Sequence, residues 1–594
     1  MGLIRQRAAV LAAAALICAA GLGAAPRLRL VSSTVGPVSI AQGASGSALQ
    51  TPTVEAYNVG DGSLNLKLSY SASSASWIAG TVGAQRACSS QPGLCTPLQF
   101  ALNTSALPAG TVTGIVTVSD PNAVDAPQTI TVTVQIGGAV PTSLDVYVAP
   151  GATRDLGFST NGPLSTTAVK TNDGGAWLSL SLDGSGSFRF PYLYRVHLAP
   201  SAAMGQGTYP ATITTAGSSF AADNKTIPVN MRMTTQPIAQ PSTSHLVVRL
   251  AQGAPAWSTA ITLANVGQGS LHIQSAKTSG AAWITAATYS VGGLIPDGAA
   301  VTIDPKGLAP GTYSDAVAIA SNAVAYTGAQ GDTASLTVKV DLEIIAAGAP
   351  VVDFQGVLDN AIFNPGDSIA RGDIVAVKGQ QLSMVAPASG TAPPVKTQVA
   401  DTQVLLNGVP IPLFYTSYGQ INCQIPTDAP TGTSTVQVKR TDGQTSNLVT
   451  VNIGARAPRL LRFNIADYGA IVNAQDGSYP LPAGAIPGSN THAASPGDTL
   501  IIYAIGLGDT NPFVATGAAA PSNPLAWLTT IPTVNFGGGI GGAIATPDFA
   551  GLSPTSAGLY QINVRIPQLA PKGTVYVTVA FGDSTSNPVS IEIQ

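Results

Sequence analysis

The polar side chains that could do chemistry are few and scattered. Four histidines, His197, His245, His272 and His492, lie far apart, none with a second histidine at metal-ligand spacing. No His-Glu-x-x-His zinc motif, Gly-x-Ser-x-Gly elbow or phosphate-cradling Gly-x-x-x-x-Gly-Lys occurs. "YRVHLAP" and "SLHIQS" read as strands, so His197 and His272 are expected at surface or edge positions. Two carboxyl groups suffice for glycoside hydrolysis and can come from distant positions. The acidic candidates sit in turns: Asp120, Asn122 and Asp125 in "SDPNAVDAP", Asn473 and Asp476 in "NAQDGS". Their oxygens suit Ca²⁺, but neither turn has the full spacing of a calcium loop, so both are expected to be solvated. Arg371-Gly372-Asp373 forms an adhesion-type tripeptide. The Gly-Asp pair recurs at Gly497-Asp498 behind Pro496, without arginine, so a structural turn is expected.

Cys88 and Cys95 flank a Pro-Gly turn in "ACSSQPGLCTP", which suits a small disulfide-closed loop in an oxidising compartment. A metal pair is the alternative, and no histidine lies nearby to complete one. Trp77, Trp177 and Trp283 recur in phase with a repeat, between small and aliphatic neighbours, and are expected in cores. Trp257 and Trp527 lie outside that phase and are the candidate ligand-facing aromatics, able to stack on a sugar ring.

The elements that must position these residues are strands. "TVTGIVTV", "TITVTVQI", "SLTVKVDLEI" and "TVYVTVAF" alternate at period two, separated by Gly, Pro, Asn and Asp turns. An all-β chain of tandem β-sandwiches follows. At 594 residues it is too long for one core. Charged residues are 9% and the net charge is −3, so no basic face offers itself to nucleic acid. Residues 1–25 read as a secretory signal peptide: Arg5 and Arg7, an apolar run over 8–22, then small residues at Gly23–Ala25. The run is too short and alanine-rich to favour a permanent membrane span, and Ile17 before Cys18 argues against lipid attachment. The mature chain is expected to be soluble, with no membrane span.

Repeats set the boundaries. "NVGDGSLNLKLSYSASSASWIAG" (58–80) recurs as "NVGQGSLHIQSAKTSGAAWITAA" (265–287), with a weaker copy at "GGAWLSL". "NVGDGSL" reads as a hairpin turn whose glycines permit positive φ. In the second half, "QINCQIP" (420–426) pairs with "QINVRIP" (561–567), and "ARGDIVAVKGQQL" with "SPGDTLIIYAIGL". Alternation puts Ile421, Cys423 and Ile425 on one face, as it does Ile562, Val564 and Ile566. Cys423, in the slot of Val564, is then a small buried hydrophobe, and the repeated phrase is scaffold.

Residues 28–347 resemble the BACON-type immunoglobulin-like repeats of secreted bacterial proteins, through the Asn-x-Gly-x-Gly-x-Leu turn, the Ser/Ala-Trp-Ile/Leu pair and the Leu-x-Pro-Gly-Thr-Tyr lead-in. That resemblance implies β-sandwiches and suggests carbohydrate or mucin contact. Residues 350–594 resemble the uncharacterised C-terminal domain family of Solibacter-type acidobacteria, through "GVLDNAIFNPGDSIARGD", "GAIVNAQDGS", "SPGDTLIIYAIGLGDTNP" and "GLYQINVRIP". It implies two immunoglobulin-like units and brings no established activity. The expected organisation is a signal peptide (1–25), three BACON-like sandwiches (26–138, 139–235 and 236–347, the middle one divergent) and a C-terminal module of two units (348–455, 456–594). The expected function is extracellular binding, adhesion or structural display, without catalytic residues, cofactor or metal. The partner is an unidentified extracellular protein or polysaccharide. The alternatives are a carbohydrate-binding protein with a defined glycan site, and a hydrolase with an inter-domain site.

Overall fold

A computed structural model describes residues 25–40, 53–108, 110–137, 140–182, 193–289, 297–325, 336–463, 467–486, 488–537 and 542–594. The signal-peptide assignment therefore lies outside the described residues, apart from Ala25. Among the described residues the chain is all-β, and its helical structure is a single 3-10 turn, Ala221–Asp223. The strands form facing sheets around five hydrophobic cores, so the protein is a tandem array of immunoglobulin-like β-sandwiches.

A shared device closes the units. The strand that opens one sheet runs parallel to the strand that ends the unit: Thr34–Ile40 beside Gln128–Ile136, Leu144–Val148 beside Lys225–Met233, His245–Ala251 beside Leu336–Ile345, and Ile369–Ala370 beside Val449–Gly454. In the last unit the contact shrinks to a parallel bridge between Ala494 and Ile593. The third unit's terminal strand alternates without a break. Leu336–Ile345 buries every second side chain, and its hydrophobic face completes the core.

The Asn-x-Gly-x-Gly phrase is not a hairpin. Val54–Asn58 belongs to one sheet of the first unit and Lys67–Tyr70 to the other, so the phrase carries the chain across the sandwich. Trp257–Asn265 and Ile273–Thr278 are split in the same way. An asparagine side chain fastens each corner. Asn58 Oδ1 accepts from the N–H groups of Arg27 (2.8 Å) and Gly60 (2.9 Å), while Nδ2 donates to Gly62 O (2.9 Å). Asn265 accepts from Ile238 and Gly267 and donates to Gly269 O. The glycines are required for different reasons. Gly62 and Gly269 have φ of +73° and +72°, whereas a Cβ on Gly60 would stand 2.3 Å from Ala25 O.

The middle unit reaches the same corner with other chemistry. The buried Asp223 carboxylate accepts from the N–H groups of Asn161 (2.9 Å) and Gly162 (2.9 Å), and from Ser218 Oγ (2.7 Å). Replacing Asn265 by Ala should cost the third unit about 1–2 kcal/mol, because two backbone N–H groups lose their acceptor. Thermal unfolding of the full-length chain would register it as one transition moving down.

The two Gln-Ile-Asn strands, Gln420–Gln424 and Tyr560–Arg565, bury the alternate residues named above, and both end at proline. Their outward residues also repeat a contact. Gln420 Nε2 donates to Asn422 Oδ1 at 2.7 Å, and Gln561 Nε2 to Asn563 Oδ1 at 2.9 Å. The free Cys423 is fully buried, and burial pushes its thiol pKa up to about 12.

Candidate functional site

The residues singled out by sequence do not converge. Cys88 and Cys95 are bonded to each other, with Cα atoms 4.9 Å apart. Trp77, Trp177 and Trp283 are in the cores of the first three units. Trp257 is not a free surface aromatic: it is half-buried against the third core, where its strand lies between Gly298–Ile303 and Ile238–Pro241. Trp527 stays 41% exposed and meets Phe549 edge-on, ring centroids 4.9 Å apart. Three histidines pair with a carboxylate of their own unit: His197 with Asp155, His245 with Asp341, His492 with Asp476. The Asp476 turn is a small hydrogen-bonded knot. Bonds from Ser478 and then His492 hold its carboxyl at about 2, and bonds to Ala493 O and Asp476 raise the His492 pKa. Among the described residues no group of three or more His, Cys, Asp or Glu could hold a metal ion.

The other acidic turn is not solvated, contrary to expectation. Asp120 and Asp125 are buried. Asp120 accepts from the N–H groups of Asn65 (2.6 Å) and Asn122 (2.9 Å). Asp125 reaches out of its unit, accepting from Thr450 N (2.6 Å) and Thr450 Oγ1 (2.7 Å) in the fourth, while its own N–H donates to Leu448 O (2.9 Å). Arg29 completes the contact, 2.5 Å from Asp125 Oδ2 and with its guanidinium 5.3 Å from the centre of the Phe354 ring. A second join links the third and fourth units: Tyr418 and Met384 pack into the third unit's core.

The two C-terminal units meet in the most heavily built polar seam. Gln424 donates to Gly372 O (3.2 Å) and accepts from Gly517 N (2.7 Å); Thr427 N donates to Thr516 Oγ1 (2.9 Å); Val395 N donates to Gly517 O (2.8 Å). At its centre Asp373, fully buried, accepts from Ala370 N at 3.3 Å. A Cβ on Gly506 of the last unit would stand 3.2 Å from Asp373 Oδ2, so glycine lets that strand end close over the carboxyl. Burial raises the Asp373 pKa to about 8; nearby Asp359 pushes the same way and Arg459 opposes it. Arg459 is shared, 3.8 Å from Asp359 Oδ2 and 2.9 Å from Asp367 Oδ2. Arg371, of the adhesion-type tripeptide, faces Asp509 across the seam at 3.8 Å. Gly372 has φ of +75° and holds the turn that inserts Asp373, so the tripeptide is structural.

A raised carboxyl beside a second carboxyl is an arrangement that acid–base catalysis uses. Here Asp359 and Asp373 are sealed from solvent, and the small hollow in the same seam, lined by Arg371, Gly372 and Gln424 but by neither carboxylate, is about 20 Å³, too small for a substrate. Their chemistry goes into joining units. Nothing local to "SDPNAVDAP" announces the role of Asp125, because its partner Thr450 is 325 positions away. Tyr576 could have been found: alternation in "TVYVTVAF" turns it outward between the buried Val575 and Val577.

The IPT/TIG domain family matches residues 361–453, inside the fourth unit. No curated protein matches the chain. Among solved structures, the human desmocollin-1 ectodomain is 13% identical, over 72% of this chain and 79% of that one, with a TM-score of 0.14. Drosophila N-cadherin EC1-4 is 11% identical over 71% and 100%, TM-score 0.19. Mouse cadherin-23 EC22-24 is 14% identical over 55% and 100%, TM-score 0.14. The fold assignment rests on the sheets and cores themselves, not on these likenesses.

Proposed function

We propose that the protein is a secreted, non-enzymatic β-sandwich array that binds or displays at an extracellular surface. The observation that carries this is the use of its buried polar groups. Asp125, Gln424 and Asp373, the groups best placed for chemistry, lie in seams between units, which suits a chain whose task is to hold domains in a fixed relation. The signal-like N-terminus supports export, and the Cys88–Cys95 disulfide supports an oxidising destination. Among the described residues no helix is long and apolar enough to cross a membrane. The BACON-like and Solibacter-type resemblances fit the same reading, with the N-terminal units as spacer and the C-terminal pair as the module presented. The partner would be an extracellular protein or a polysaccharide.

Fractionation of producing cells should place the chain, shortened near residue 25, in the medium or on the protease-accessible surface. Solution scattering should show a larger radius of gyration for Asp125→Ala than for the wild type, since its contact with Thr450 fixes the first unit against the fourth. A chain retained inside the cell, or a hydrolytic activity that Asp373→Asn abolishes, would sink the reading.

A further inference from the structure

The last unit carries a surface feature that none of the seams uses. The stretch Asp467–Gly469 is fastened onto the final strand, Val589–Ile593, on both sides of Ser590. Ser590 N donates to Asp467 O (2.6 Å), and Gly469 N donates to Ser590 O (3.1 Å). Tyr468 thus lies beside Ser590, and Ser590 pairs with Tyr576 on the next strand. Two tyrosines therefore flank a serine on one outward sheet face, Tyr576 being 49% exposed. Phe463 lines the same hollow, its ring held edge-on by Tyr479 with centroids 5.1 Å apart. Arg462 and Asp467 pair across the mouth at 2.8 Å, both open to solvent. The trough so formed has a volume of about 580 Å³, within the roughly 300–1,000 Å³ usual for small-ligand sites.

We propose that this trough binds a neutral polysaccharide, with Tyr468 and Tyr576 as stacking surfaces and the Arg462–Asp467 pair reading hydroxyl groups. This rests on the extracellular reading above and names its ligand class. The chemistry of the described lining selects the ligand. It holds aromatic rings, hydroxyls and one ion pair, and no aliphatic side chain. Protein hot spots are desolvated pockets filled by an anchor, and an open trough whose described lining has no aliphatic side chain does not supply one. Pyranose rings offer what fits: polarised C–H groups for the negative faces of the tyrosines and adjacent hydroxyls for a donor–acceptor pair. Arg462 and Asp467 neutralise each other, so no net charge invites a charged chain. Tyrosine brings this contact area with few rotatable bonds to immobilise. The site is on the final unit, away from both sequence-nominated tryptophans.

The full-length secreted chain would be run through native gels containing soluble glucan, xylan or mannan, with Kd then measured on oligosaccharides of whichever retards it. Tyr576→Ala and Tyr468→Ala should each weaken binding by about tenfold or more. Ile544→Ala, an exposed control on the same sheet, and Trp527→Ala on the other sheet should leave it unchanged. Unaltered unfolding midpoints would show that the tyrosine variants are folded. Tyr576→Phe keeps the ring and should retain most of the binding. Unchanged retardation in both tyrosine→Ala variants overturns the proposal. So does a folded chain that no neutral polysaccharide retards, or a Tyr576-dependent protein partner without glycan binding. In those cases a chain recovered from the medium leaves the display reading standing, whereas a chain never exported overturns that reading itself.

Discussion

Between pH 5 and pH 8 the seam joining the two C-terminal units should weaken, and Asp373→Asn should abolish most of that weakening. The folded chain holds the Asp373 carboxyl neutral to about pH 8, while the unfolded chain ionises it near the ordinary 3.8. The native state then binds the extra proton throughout this interval, so Asp373's own contribution to stability is fully present below about pH 4 and is lost as pH rises towards 8. The shift from 3.8 to about 8 corresponds to roughly 6 kcal/mol at its ceiling, since each pH unit is worth about 1.4 kcal/mol. His492 works in the same direction: its raised pKa gives stability that is lost as pH climbs past it. That contribution is common to wild type and variant and cancels in the comparison. Calorimetry of the full-length chain at the two pH values should show one transition descending in the wild type and much less in Asp373→Asn. Equal slopes would mean that Asp373 is ionised in the fold.

The same residue shows what a single sequence can and cannot disclose. The Gly-Asp turn was readable as structural because it is written twice, at Gly372-Asp373 and Gly497-Asp498. The repetition hid a difference. Asp498 accepts from Ser495 N and Asn473 Nδ2 inside its own unit, whereas Asp373 faces a neighbouring unit's strand end. Alternation along Gln-Ile-Asn fixed which side chains are buried, because period two is a local property. It could not say which sheet the next strand joins. That is why the Asn58 corner reads as a hairpin until its flanking strands are found in opposite sheets. Asp125 was misread for a related reason: a carboxylate in a polar turn is solvated unless something distant covers it, and Thr450 does. At the surface the limit was different. Trp257 and Trp527 stand out by falling outside the repeat phase, yet the trough pairs Tyr576 with Tyr468, joined through the pairing of Ser590.

Trp77→Ala should remove about 3–5 kcal/mol from the first unit, while Trp527→Ala should change stability by less than about 1 kcal/mol. The contrast separates two residues of one type by what surrounds them. Trp77 is buried with Phe100, Ile78 and Leu102, and its indole N–H donates to Ser73 O at 3.0 Å, so truncation leaves a cavity and removes a hydrogen bond. Gly114 on the facing sheet is packed against that ring; a Cβ there would stand 2.7 Å from it, so the backbone has been brought in to fit the indole and cannot easily collapse further. Single domains are stable by only about 5–15 kcal/mol, so the loss takes much of the first unit's margin. Thermal unfolding of the full chain should show that transition falling by well over 10 °C, at roughly 4–8 °C per kcal/mol. The consequence should pass to the fourth unit, because Asp125 and Arg29 belong to the sandwich being weakened. Hydrogen exchange around Thr450 should therefore quicken in Trp77→Ala and stay unchanged in Trp527→Ala. Unchanged exchange at Thr450 in both variants would mean that the first unit melts without its neighbour registering it, and the Asp125 contact would then be a touch between independent domains.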